Sequence, residues 1–256
     1  MSEHDGKNIA DEFYINETAV LYGLIARRAH EVIGIGQMRR DKVSGFVRPD
    51  WEKTIISCLR AYCGERGLRM ATRALADGEP LSAESYLIYG EWADSKKWFG
   101  AGDSSFLPHY TTRVTFCPWR DAWKAHGLLE YGALYCRAAD FFLVGGFNPD
   151  IRFDMGGVLS HGDASCEYLW LDCNITPEEE KFIAEKRAVV ADRVTKDFLY
   201  HCGHMLHTFG RELCLSVGLV KGRAVIRKAM SDFAELFGKG KAAAVAEASH
   251  GDFLNV

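Results

Sequence analysis

The feature that most restricts how this chain can fold is a change of apolar periodicity, helical at both ends and extended in the middle. Residues 12–38 carry Ala19, Leu21, Leu24, Ile25, Val32 and Ile33 at helical spacing, and residues 50–76 place Ile55, Ile56, Leu59 and Tyr62 on one side. A loop with Gly45 and Pro49 joins them, and Asp77-Gly78-Glu79-Pro80 stops the second helix. The middle predicts four strands, at 84–93, 110–116, 151–160 and 165–172. A polar Gly/Asp/Ser loop separates the first two, and His161-Gly162-Asp163-Ala164 reads as the hairpin turn between the last two. Helices are inserted between them. One starts at Pro118 with Cys117 near its N-cap and ends at His126-Gly127; another runs from 128 to 144 and stops at Gly145-Gly146. Thr176-Pro177-Glu178-Glu179 forms a capping box that opens a helical run to about 246, broken near Gly218 and Gly238.

This order predicts one α+β domain over residues 1–256, helical at 12–76 and 177–246. Its four-stranded, mainly antiparallel sheet lies in 84–172, flanked by the N-terminal and C-terminal helices. A faint repeat is also visible. Val32-Ile33-Gly34 leads to Gly64 and Gly67, as Val217-Gly218 leads to Gly238 and Gly240. It reads either as a two-sided helical clamp or as helices of similar length that end in glycine.

Composition narrows the function. With 48% hydrophobic and 26% charged residues, 256 residues are ample for a core. A net charge of -4 and no Lys/Arg-rich block argue against nucleic acid. The polar, acidic first residues lack a signal-peptide pattern, and no apolar run is long enough for a bilayer. The expectation is a cytoplasmic protein acting on a small molecule, without membrane or nucleic-acid partners and compatible with a homo-oligomer. Eight cysteines include no CxxC pair, which disfavours a zinc knuckle, and a disulfide framework does not suit that compartment. No cofactor is expected.

Chemistry concentrates between residues 111 and 170. Cys117 sits at a strand-to-helix junction, where a helix N-terminus favours thiolate. Cys136 and Asp140 are four apart on one predicted helix and so share a face. Asp140 stands in an apolar stretch, and a buried carboxylate needs a partner. His161, Asp163 and Cys166 share the predicted hairpin, so His161 could take a proton from the thiol with Asp163 fixing its tautomer. Arg113 in the second strand could hold a substrate carboxylate. Glu91, Tyr89 and Trp119 could line the pocket, and His204 could reach it as a base. Each has a plain alternative as core, cap or turn. His201, His204 and His207 stand at i, i+3, i+6, a poor set for one ion, and no HExxH pattern occurs.

The chain resembles the bacterial L-2-amino-thiazoline-4-carboxylate hydrolase family over roughly residues 15–240. The residues that carry the likeness, in order, are Leu59 to Gly67, Tyr86 to Trp92, Cys117-Pro118-Trp119, Leu134-Tyr135-Cys136 with Asp140, Phe147-Asn148-Pro149, and Gly162-Asp163 with Cys166. The resemblance implies a hydrolase that opens a small ring or amide-like C–N bond by adding water. Residue chemistry then allows a cysteine thiolate as nucleophile, or water activated by Asp140 or His161. Two other classes stay open: a non-enzymatic small-molecule sensor, and a metal-dependent hydrolase using His201, His204 and His207.

Overall fold

The structure is a computed structural model that describes residues 9–34, 50–92, 102–171 and 173–254. The expected loop with Gly45 and Pro49, the end of the first helix past residue 34 and most of the polar loop before residue 102 lie outside the described residues.

Helices α1 (Ile15–Ile33), α2 (Trp51–Ala76) and α3 (Ala83–Tyr89) precede strands β1 (Asp103–Ser105) and β2 (Tyr110–Val114). Next come α4 (Pro118–Ala125), α5 (Leu129–Cys136) and α6 (Ala139–Phe147), then β3 (Phe153–Gly157) and β4 (Cys166–Trp170). The chain closes with α7 (Pro177–Val194), α8 (Phe198–Val217), α9 (Leu219–Phe237) and α10 (Lys239–Ala248). The four strands form one antiparallel sheet in the order β1-β2-β4-β3, with a bulge between Met155 and Gly157. The class is the expected α+β.

The strand expected at 84–93 is instead helix α3. Ser82 caps it by accepting from the Ser85 amide, and its buried residues, Ala83, Ser85, Ile88 and Tyr89, do not alternate as a strand would. The fourth strand is β1, made of polar residues that pair with Thr111, Thr112 and Arg113 of β2. The helix expected at 128–144 is split into α5 and α6 at Arg137–Ala138, so Cys136 and Asp140 are on different helices. The capping box at Thr176 forms as expected: Thr176 Oγ1 accepts from the Glu179 amide at 3.2 Å and Glu179 accepts from the Thr176 amide at 2.8 Å.

Helix α1 is the axis of the main core, with Ala19 to Ala26 all buried, and α4, α8 and α9 pack around it. The Trp123 indole N–H of α4 donates to the Ala19 carbonyl at 2.7 Å.

Glycines set a second contact that matters more for function. Gly34, Gly218 and Gly238 follow helix ends at positive φ, where a side chain would be strained. Gly67 and Gly146 do the opposite: they lie inside helices and let α2 and α6 touch backbone to backbone, Gly146 against the backbone of Gly64. A Cβ on Gly67 would come within 2.3 Å of the Leu143 carbonyl oxygen, and one on Gly146 within 2.6 Å of the Gly64 carbonyl oxygen. The repeat suggested by the glycine spacing is therefore not structural, because its members do different work.

This contact generates a paired test. Gly67→Ala drives a methyl into backbone that cannot retreat and should cost about 1–3 kcal/mol, lowering the melting temperature by several degrees. Gly64→Ala meets nothing within 4 Å and should be neutral or stabilising by about 0.5–1 kcal/mol. Thermal melts of both variants check the pair.

Candidate active site

One face of the sheet forms the floor of a cavity of about 330 Å³. Strand periodicity puts Cys166, Tyr168 and Trp170 of β4 on that face, with Thr112 of β2 and Phe153 and Met155 of β3 beside them. Helix α2 supplies Cys63, Arg66 and Met70, and the glycine contact holds α6 against it so that Asp140 in the first turn of α6 opens onto the same space. Cys117, Trp119 and Cys136 complete that wall.

Of the residues singled out from sequence, Cys117, Trp119, Cys136, Asp140, Cys166 and Glu91 therefore line one cavity. Trp92 and Trp119 stack at 5.1 Å, and Trp119 stacks on Tyr135 at 4.7 Å, so the three form one aromatic stack bordering the cavity. The indole N–H groups of Trp92, Trp119 and Trp170 have no hydrogen-bond partner among the described residues.

The other candidates lie elsewhere. Arg113 pairs in register with Glu167, one residue out of phase with Cys166 and Tyr168, so it points to the opposite face. There it binds Glu167 at 2.9 Å and Asp103 at 3.0 Å. Tyr89 donates to Asp77 at 2.6 Å, away from the cavity. Asp163 accepts from the Val158 amide at 2.8 Å, which is turn work. His161 is exposed, and its Nε2–H donates to the Ala133 carbonyl at 3.0 Å, in a separate cleft beside His30 and Trp51. Neither His161 nor Asp163 reaches the cavity, so the thiol of Cys166 lacks the base expected beside it; it accepts from the Leu159 amide at 3.3 Å.

The three α8 histidines diverge. His207 donates from Nδ1 to the Ser249 carbonyl at 3.0 Å. His201 is buried, packs edge-on against Trp92 and has no hydrogen-bond partner among the described residues. His204 is buried beside Glu65. The Arg69 guanidinium approaches its Nδ1 at 3.4 Å and can only donate, so Nδ1 accepts and Nε2–H donates to Glu65 at 2.8 Å. Burial and the Arg69 charge, opposed by Glu65, bring the His204 imidazole down to about 4, so it is neutral at pH 7. Among the described residues no group of three or more His, Cys, Asp or Glu is arranged to hold a metal.

Sequence reading missed Arg66 and its neighbours. Arg66, Arg69 and Arg73 recur at i, i+3 and i+7, which puts them on one stripe of α2. All three converge on the buried Glu91 carboxylate, at 3.3, 2.8 and 3.1 Å. Arg69 also grips Glu91 through a second nitrogen at 2.9 Å and donates to the Phe253 carbonyl at 2.5 Å. The signal was visible as three arginines at helical spacing within a half-apolar helix.

The titrating groups divide sharply. Burial pushes Cys166 up to about 11 and Cys63 up to about 12, and it raises Cys117 and Cys136 as well. Burial also raises Asp140, to about 6, with Arg66 restraining the rise. Glu91 goes the other way. Burial alone would raise it, but the Arg69 hydrogen bonds and the charges of Arg66 and Arg69 outweigh that and hold it at about 2. Asp140 is thus the cavity group that titrates near neutrality. It is half-buried and makes no hydrogen bond or ion pair among the described residues.

The Glu91 cluster should be strongly stabilising only while intact. Because Glu91 titrates lower when folded than its ordinary 4.5, its contribution is full above that value and is lost as pH falls towards about 2. Glu91→Ala leaves three guanidiniums without their counter-ion and should cost about 3–5 kcal/mol in urea unfolding at neutral pH.

The family profile described as L-2-amino-thiazoline-4-carboxylic acid hydrolase matches residues 31–170, a span that includes the cavity's α2, α6, β2, β3 and β4. No curated protein and no solved structure matches the chain.

Proposed function

The chain belongs to the L-2-amino-thiazoline-4-carboxylic acid hydrolase family, and from that premise we propose that the cavity opens a small amidine, thiazoline or cyclic-amide ring by direct attack of water, with Asp140 as general base. The observation that carries this reading is the contrast within one cavity between Asp140 at about 6 and the Cys166 thiol pushed up to about 11, with Cys136 and Cys117 raised by burial as well. At neutral pH the carboxylate is ionised yet basic enough to take a proton, whereas the thiols keep theirs.

The step balances simply. Water adds its oxygen to the electrophilic ring carbon and gives a proton to Asp140. The tetrahedral carbon then expels one ring heteroatom, which takes the proton back. In a cyclic amide that atom is nitrogen and the bond broken is C–N. The aromatic border of Trp92, Trp119 and Tyr135 suits a largely apolar small ring, and a cavity of this size suits a substrate of about ten heavy atoms. No helix among the described residues is long and apolar enough to cross a membrane.

The test uses 2-amino-thiazoline-4-carboxylate with purified enzyme. Asp140→Asn should lower kcat/KM by about 10²–10⁴ and leave the melting temperature unchanged or raised, since it removes an uncomfortable charge. In the unaltered enzyme kcat/KM should fall as pH drops through about 6, because protonation removes the base. Cys166→Ala should cost on the order of 1 kcal/mol of stability and leave turnover near normal. A collapse of turnover in that variant, with stability intact, would reverse the assignment in favour of a thiolate.

A further inference from the structure

We propose that Arg66 forms a carboxylate subsite in this cavity and selects small ring acids carrying a single negative charge over their neutral amides. The proposal rests on the reading above that this cavity is where hydrolysis occurs, and it adds the group that recognises the substrate.

Three observations carry it. First, Arg66 is the cavity's lining cation, and its side chain is 3% exposed, so the charge lies inside the fold and not on the surface. Second, its geometry is fixed from behind. Nε donates to Glu91 at 3.3 Å, and the guanidinium carbon sits 4.7 Å from the Trp92 ring centre and 5.5 Å from that of Tyr62. The two terminal nitrogens have no hydrogen-bond partner among the described residues, and together they form the flat fork that matches a carboxylate. Asp140 lines the same space yet forms no ion pair with Arg66, which leaves the fork open to a ligand.

Third, Arg66, Arg69 and Arg73 share the single Glu91 carboxylate, and of the three it is Arg66 that lines the cavity. A monocarboxylate in the cavity gives the open side of the Arg66 guanidinium a charged partner; a neutral ring leaves that side without one. Arg113, the arginine that sequence suggested for this task, is already engaged by two carboxylates on the far face of the sheet.

The experiment measures binding by calorimetry with thiazolidine-4-carboxylate, a saturated ring acid with no amidine carbon to attack, and with its carboxamide. The unaltered enzyme should bind the acid roughly 10- to 100-fold more tightly than the amide. Arg66→Gln should bring the two within about threefold, and Arg66→Lys should keep only part of the preference, since an ammonium cannot offer the fork. Equal binding of acid and amide by the unaltered enzyme overturns the proposal with no variant needed. So does a full acid preference in folded Arg66→Gln. An acid preference without hydrolysis of any ring substrate would support the subsite while removing the hydrolytic reading. Hydrolysis of ring acids and ring amides at equal kcat/KM would do the reverse.

Discussion

The buried Glu91 carboxylate is the interaction on which the rest of the structure depends. Taking one carboxylate and three guanidiniums out of water is costly, and the arrangement holds because each charge has a well-placed partner. It also ties distant segments together. The Glu91 carbonyl accepts from the Lys196 amide at 3.0 Å between α7 and α8, Arg73 reaches the Val194 carbonyl at 3.3 Å, and Arg69 holds the carbonyl of Phe253. Phe253 in turn stacks on His204 at 4.7 Å. Four parts of the chain are thus referred to one side chain, and Arg66, a member of the hub, also faces the cavity. Folding and recognition share the same electrostatic source.

The cavity gains its chemistry from being unlike that hub. In the hub three guanidiniums grip one carboxylate, which is held far below its usual range. Across α2, Asp140 has burial without a hydrogen-bonding partner, and the same dry surroundings that raise it also silence the thiols. The cysteine-rich wall is then best understood as small, soft packing around a reactive carboxylate.

Much of this was legible in the sequence, for identifiable reasons. The outer helices were clear because apolar spacing and caps agreed. β2, β3 and β4 were clear because turn residues and β-branched or aromatic residues marked them. Tyr86-Leu87-Ile88-Tyr89 misled, because bulky residues favour strands only when the local capping allows it, and Ser82 had already begun a helix. Asp103–Ser105 carries no strand propensity and becomes a strand only by pairing with β2. Cys117, Cys136, Asp140 and Cys166 were readable as a group and do line one cavity, although Cys136 and Asp140 arrive there on separate helices. His161 and Asp163 were misplaced because nearness in sequence to Cys166 says nothing about the direction of a turn. Arg113 was misplaced because the register that pairs it with Glu167, and so turns it to the far face, is fixed only when β2 and β4 meet.

The stripe of Arg66, Arg69 and Arg73 has a consequence for how this chain can change over time. On α2, successive residues are turned by about 100°, so deleting or inserting one residue between Gly64 and Arg73 would rotate everything beyond it off its face. The glycine seam with α6 lies on the same stretch and would lose its register in the same event. Lineages of this protein should therefore accept many exchanges of side chains along α2 and almost no change in its length, whereas length variation can collect in segments that carry neither seam nor stripe.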